Sequence, residues 1–380
     1  MKPLEGYGEN PLALAYHGLR DRLAGRHGRA NARRGYLRPP AGSGRVVWLQ
    51  AGHTPHSVLL SAELLAALRE RRQDIRLVLT FEEEYPELIK PRLRGGKIGL
   101  GYGPCATARA LDRTVERLEP LGVLCIGRPV ARHLAALAAT RGIHLVAVDT
   151  LPDANLQAPI EAAYPSDGAQ ASVWTSHARY VAPPADPMTI LTPAQVEPTF
   201  GALVRGAREP RLLWVHGGLA HVRAALAAWR RSPPHGESVL FVSLAEEAPW
   251  PDAPAPLSGW QREAVAPGTV LYVDAPRWLP AVAASADAVY LETPSRAVLW
   301  HALAGGAPVW LAGGAQSVLE RLAIDLPVRD PPAFFAELPA ALAAPQQLRP
   351  LADAGRRAFW QARRQAGQVV EELLQRVYDW

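Results

Sequence analysis

Apolar residues along the chain fall into two kinds of stretch: short continuous runs, and longer segments in which they recur every three or four positions. The two kinds alternate as strand and helix would. The clearest unit is VVWLQAGHTPHSVLLSAELLAALR, residues 46–69. Val46, Val47, Trp48 and Leu49 suit a strand buried on both faces. Gly52, Pro55 and Ser57 then break the run, and Leu59, Leu60, Leu64, Leu65 and Leu68 recur at helical spacing up to Arg69. Downstream, the pattern predicts strands over 75–80, 122–126 and 144–148, a loop and short helix over 82–93, and helices over 106–118 and 130–140. Residues 151–208 are punctuated by proline and take no assignment, so a hinge is expected near 186–208. A second series follows, with strands over 212–216, 239–243, 270–273, 288–292 and 308–311. Helices over 220–231, 278–285 and 296–304 separate them, and a terminal helix over 351–378 packs back.

Short links between alternating strands and helices mark a parallel sheet with helices on both faces. The fold class expected is therefore α/β, with two doubly wound Rossmann-like domains. The expected division is a basic helical arm over 1–45, a first domain over 46–190, a second over 209–345 and a terminal helix over 346–380. Two such domains facing each other across a cleft form the GT-B architecture of many nucleotide-sugar glycosyltransferases and some epimerases. In that layout the second domain commonly holds the nucleotide and the first the acceptor and the base. Fold alone does not give the reaction.

Composition narrows the class. At 380 residues the chain exceeds a typical single core, and 48% hydrophobic with 20% charged residues is a globular balance. Two cysteines, Cys105 and Cys125, support neither a disulfide framework nor a cysteine zinc site, and a reducing compartment is the simplest setting. No apolar run reaches about 18 residues and the start, MKPLEGYGEN, lacks a signal-peptide core. The expectation is a cytoplasmic protein, or a peripheral one at the cytoplasmic face of a bacterial inner membrane. The net charge of +5 is unevenly spread: Arg20, Arg22, Arg26, Arg29, Arg33, Arg34, Arg38 and Arg45 are opposed only by Asp21. Residues 10–34 predict a helix with Leu12, Leu14, Tyr16, Leu19 and Leu23 as its apolar stripe. This basic arm would meet an anionic membrane surface or phosphate groups, or is simply a solvated arginine-rich face. Nucleic acid is not expected as a partner, since no aromatic-interleaved basic motif accompanies the arginines. The acidic run Glu82, Glu83 and Glu84 reads as a solvated face.

The candidate chemistry lies where strands end. His53, Thr54 and His56 fall between the first strand and the helix after it, the place where open α/β sheets bind ligands. Backbone N–H groups at a helix start favour a neutral imidazole, so His56 is a candidate general base; the other reading is a surface or capping role for both histidines. In the second half, Thr293 and Ser295 fill a turn after the strand ending at Glu292, and Arg296 opens the next helix, with His301 further along it. Hydroxyls, N–H groups and the guanidinium there would hold a donor's phosphate or carboxylate. Gly217 and Gly218, after LLWVH, would let a phosphate approach the backbone closely. There is no P-loop, no GxGxxG after a strand, no HExxH and no GxSxG, which argues against NTPase, common dehydrogenase, zinc-peptidase and α/β-hydrolase functions.

Taken together, these stretches resemble the 3-deoxy-D-manno-octulosonic acid (Kdo) transferases, which move Kdo from CMP-Kdo onto a lipid A precursor. VVWLQAGHTPH stands where that family has a strand and the turn A-x-S-x-G-E, and Ala67, Leu68 and Arg69 repeat the A-L-R that ends its first helix. LDRTVERLEPLGVLCIGRP and RGIHLVAVDTLPD look like the family's following helix and strands, and LLWVHGG like the start of its second domain. ADAVYLETPS with HALAGGAPVW looks like its A-D-V-x-x-x-G-G-S and L-E-P-A-A-L-G-x-P-V signature. The resemblance covers most of the chain in order and spacing. It implies a glycosyltransferase that needs no metal or cofactor, with a nucleotide sugar such as CMP-Kdo as donor and a lipid A precursor or related envelope glycolipid as acceptor. The family's first-domain glutamate, its base, aligns with His56; its acidic segment is replaced by Gly127, Arg128, Pro129 and Val130, which puts Arg128 on the acceptor side; and its ribose-side glutamate aligns with His301. These replacements motivate a second expectation, a homologue that keeps the fold and binds without turnover. A third is a GT-B epimerase acting on a UDP-sugar.

Overall fold

The computed structural model describes residues 10–93, 95–153, 155–193, 199–246, 248–313 and 326–380. The chain divides into two compact units, one of Met1–Pro187 with Gln365–Trp380 and one of Met188–Arg364.

The first unit is built on a parallel sheet of strands β1 (Val46–Ala51), β2 (Arg76–Phe81), β3 (Ile98–Tyr102), β4 (Pro120–Ile126), β5 (His144–Val148), β6 (Ile160–Tyr164) and β7 (Ala178–Val181), in the order β3-β2-β1-β4-β5-β6-β7. β1 lies inside the sheet, paired with β2 from Val46 opposite Arg76 and with β4 up to Ala51 opposite Ile126. All its residues are buried, as its continuous apolar run requires. Trp48 spends its indole N–H on Thr80 Oγ1 at 2.9 Å, the partner a buried Trp needs. β3, β6 and β7 fall in stretches without a predicted strand. IGLGY, IEAAY and ARYV mix glycine, alanine and charge: β3 and β7 are the edge strands and have no buried residue, while β6 is buried largely through alanine, which gives little apolar signal.

The single helix expected over 10–34 is two, Pro11–Leu23 and His27–Arg33, parted at Gly25 with φ +73°. Asn10 caps the first, its Oδ1 accepting from Leu12 N–H at 3.0 Å. Residues 365–380, the end of the helix Pro345–Tyr378 and two residues beyond, belong to this unit. Glu372 accepts from Tyr164 Oη at 3.1 Å and Tyr180 Oη at 2.9 Å, and Arg376 Nε donates to Tyr164 Oη at 2.9 Å. The Trp380 ring stacks on His144 at 5.0 Å, over a patch that Gly122 leaves open, where any Cβ would run into the indole.

The second unit repeats the plan with β8 (Arg211–Gly217), β9 (Ser238–Leu244), β10 (Ala255–Pro256), β11 (Val270–Tyr272), β12 (Ala288–Leu291), β13 (Val309–Ala312) and β14 (Val328–Arg329). They form a parallel sheet in the order β10-β11-β9-β8-β12-β13-β14. Alternate residues of β8 supply two cores: Leu212 and Trp214 on one face with Phe241 and Leu257, Leu213 and Val215 on the other with Trp229, Tyr290 and Phe334. Tyr290 stacks on Phe334 at 4.5 Å, and its Oη donates to the Arg329 carbonyl. Phe334 belongs to a helix, Pro331–Ala343, in a stretch the apolar pattern left unassigned.

Candidate functional site

In each sheet the chain crosses to the other side of its first strand, so that β1 neighbours β4 and β8 neighbours β12. Ligands of doubly wound sheets bind beyond the carboxyl ends of the strands at such switch points. The candidate residues read from the sequence gather at these two places.

At the first, Gly52 follows β1 and Gly127 follows β4. A Cβ on Gly52 would run into the Gly127 carbonyl oxygen; Gly127, at φ +60°, leaves room for Ser57, whose Cβ would lie 2.6 Å from an added Cβ. The pair lets two strand ends and the start of the helix Pro55–Arg71 come together. Thr54 is that helix's cap: its Oγ1 accepts from Ser57 N–H at 3.2 Å, and Ser57 Oγ donates to the Thr54 carbonyl at 2.8 Å. His53 and His56 are both exposed, His56 in the first helical turn. Arg128 is tied down. It faces Glu82 Oε1 at 3.4 Å and donates to the Pro104 carbonyl at 3.2 Å, and both the arginine and the glutamate are largely buried. Glu82 is thus not part of a solvated face. Arg33 completes the knot, donating to the Glu82 carbonyl at 2.8 Å, and is itself buried rather than displayed with the basic arm. The ends of β2, β3 and β4 are held together by these two guanidinium groups.

At the second switch point, Gly217 ends β8 and Gly218 follows it. An added Cβ on Gly217 would lie 2.9 Å from Glu292 Cβ, Glu292 Oε2 and His221 Cδ2, so those side chains occupy the space the glycine vacates. Gly218 N–H donates to Glu292 Oε2 at 3.0 Å, while Glu292 Oε1 faces His221 Nδ1 at 3.4 Å. Thr293 follows at φ +40°, an unusual conformation for a β-branched residue. Ser295 caps the helix Arg296–Gly305, accepting from Val298 N–H at 3.4 Å; Arg296 opens that helix and His301 sits half-buried within it.

Sequence reasoning missed His216, His221, Ser243 and Glu292 as a group. His216 is buried, with Nδ1 2.9 Å from Ser243 Oγ, which also accepts the Trp214 indole N–H at 2.9 Å. Ser243 Oγ thus stands between the indole donor and the His216 ring. His221 turns its Nδ1 toward the Glu292 carboxylate, which favours the proton there and leaves Nε2 as a lone pair. Both Nε2 atoms are buried and neither has a hydrogen-bond partner among the described residues. Burial, and then the neighbouring His221, push His216 down to about 4. Burial also lowers His221, against the pull of Glu292. One buried corner therefore holds two imidazoles that burial keeps neutral, each with an unspent Nε2. The signal in the sequence was HGGLAH, two histidines astride a glycine pair, but its carboxylate partner lies 71 positions beyond His221 and only the strand order makes them neighbours. Among the described residues no three His, Cys, Asp or Glu side chains are grouped to hold a metal ion, and no helix is long and apolar enough to cross a membrane.

No family model matches the sequence, and no curated protein does. Solved structures do match. The HepE protein of Anabaena in complex with UDP is 11% identical, with a TM-score of 0.57 over 88% of this chain and 100% of that one. The UDP-GlcNAc 2-epimerase of Neisseria meningitidis bound to UDP-GlcNAc is 12% identical, with a TM-score of 0.56 over 87% and 100%. The glycosyltransferase SnogD from Streptomyces nogalater is 16% identical, with a TM-score of 0.50 over 89% and 99%. At such identities the likeness speaks for architecture. With two parallel, doubly wound sheets and these neighbours, the chain has the two-domain, Rossmann-like GT-B fold.

Proposed function

We propose that the chain is a glycosyltransferase using a nucleotide-activated sugar, with the donor held at the second switch point and the acceptor at the first. The observation that carries this reading is the glycine-paired turn after β8, closed by Glu292 and flanked by two buried imidazole nitrogens with unspent hydrogen-bonding capacity. It is supported by the company the fold keeps, since solved neighbours are described with UDP, UDP-glucose or UDP-GlcNAc. Thr293, Ser295, Arg296 and His301 form the donor side, next to Gly217 and Gly218, whose own approach is filled by Glu292 and His221 and so is not the phosphate seat expected of a glycine pair; His53, Thr54 and Arg128 line the acceptor side. In the transfer step the acceptor hydroxyl oxygen bonds to the anomeric carbon, the bond from that carbon to the nucleotide phosphate breaks, and the hydroxyl proton passes to His56. An exposed imidazole at a helix start suits that task. The resemblance to Kdo transferases supplies the finer reading: CMP-Kdo as donor, a lipid A precursor or related envelope glycolipid as acceptor, and the arginine arm meeting an anionic membrane surface.

A second reading, a homologue that binds without turnover, is motivated by His56 standing where the resembled family has its glutamate. Thermal titration with CMP, UDP and GDP separates the readings, because a ligand that binds only the folded state must raise its stability. Selective stabilisation by CMP is the expected result; a UDP preference would redirect the donor and bring in the epimerase reading, and no response to any nucleotide would sink the transferase reading. Once transfer is measured, His56→Ala should abolish it while donor binding persists. An unchanged rate would remove His56 from the mechanism.

A further inference from the structure

The helix Pro11–Leu23 is amphipathic in the inverted sense. Its inward face is mostly small or polar: Gly18 and Asp21 are buried, Asp21 pairs with Arg29 at 3.4 Å, a Cβ on Gly18 would lie 3.3 Å from the Arg34 guanidinium, and Leu14 packs against Cys105 and Ala110. Its outward face is apolar. Leu12 is 80% exposed, Tyr16 64%, Leu19 59% and Leu23 80%. At 3.6 residues per turn these four fall within an arc of about 60°. Arg20 and Arg22, both exposed, flank that arc about 70° and 90° from its middle on opposite sides, and exposed Arg26 lies just past the helix end. The helix's acidic side chain, Asp21, is turned away from this face.

We propose that this face is an interfacial membrane anchor, in which Leu12, Tyr16, Leu19 and Leu23 enter the boundary between headgroups and acyl chains while Arg20, Arg22 and Arg26 meet anionic lipid phosphates. A stripe of large apolar side chains held in water is unfavourable and marks a surface meant to be covered. Lying in the interface buries it at no cost to the helix's own hydrogen bonds, and long arginine stems reach from that depth back to the phosphates. The charges point to an anionic bilayer as the occupant, since Arg20 and Arg22 border the stripe on both sides and the helix's acidic side chain is turned away from it. The proposal deepens the reading of the arm as a contact for an anionic membrane and rests on it for the class of partner. It is independent of the nucleotide and sugar.

The test is co-sedimentation of the full chain with vesicles of phosphatidylcholine, with and without phosphatidylglycerol, at low and high salt. Two variants are compared, Leu12→Ser/Leu19→Ser/Leu23→Ser and Arg20→Gln/Arg22→Gln, both at exposed positions. The unaltered protein should bind anionic vesicles and keep a part of that binding in high salt. The leucine variant should lose at least about tenfold in partition, including all the salt-resistant part. The arginine variant should lose the salt-sensitive part. A leucine variant that partitions like the parent overturns the anchor while leaving an electrostatic arm standing. No vesicle binding by the parent overturns both. If the parent is a dimer that the leucine variant turns into a monomer, the stripe belongs to a second copy and the anchor is wrong.

Discussion

At the scale of single residues, the second switch point is ordered by a glycine that has no room for anything larger. Gly217→Ala would place a methyl 2.9 Å from Glu292 and His221, and since that corner is closed on several sides the substitution should cost roughly 1–3 kcal/mol, read as a lower urea midpoint with an unchanged slope. His216 sets a pH dependence. Its folded value, about 4, lies below the ordinary 6.5, so the unfolded chain binds the proton first. Stability is therefore full above pH 6.5 and declines as the pH falls toward 4, by an amount on the order of 1–3 kcal/mol. Urea unfolding across that window should show the decline, and His216→Gln should make it smaller, leaving the part that the likewise lowered His221 contributes. A decline of the same size in the variant would assign the effect to other groups.

At the scale of elements, both switch-point helices begin with a hydroxyl cap, Thr54 and Ser295. Thr54→Ala should cost about 1 kcal/mol, its cap being the shorter at 3.2 Å, and Ser295→Ala no more than that, its bond being 3.4 Å. Elements were legible in the sequence where burial is complete. β1, β4, β8 and β9 are central strands whose unbroken apolar runs cannot be read otherwise, whereas β3, β6, β7 and β14 lie toward the sheet edges and carry no such run. The apolar stripe of the arm was visible, but not its direction. Helical periodicity gives a face without saying whether that face looks at the core, and Leu12, Tyr16, Leu19 and Leu23 look away from it. The glycine pair was legible by its place after a strand. Glu292 closing on it was not, because a contact 74 residues away depends on which strands are neighbours.

At the scale of the molecule, two units with separate cores should unfold in steps that calorimetry can tell apart. A nucleotide held by the second unit should raise the transition of that unit by mass action and leave the other nearly unmoved. Glu372→Gln, which weakens the bonds from Tyr164, Tyr180 and Arg376, should do the reverse and lower only the first unit's transition. Two overlapping transitions that move together in both experiments would mean that the units melt as one.

The first unit is completed by residues 365–380, which the ribosome makes only after the whole of the second unit. At about 5–20 residues per second, the sheet built from residues 46–181 stands for roughly 10–40 s with the seat of Trp380 over Gly122 empty and the hydroxyls of Tyr164 and Tyr180 without Glu372. During that interval the earlier-made unit is the less finished of the two, and a nascent chain stalled anywhere inside residues 188–364 leaves the patch over Gly122, His144 and Tyr164 open to the cell's chaperones and proteases.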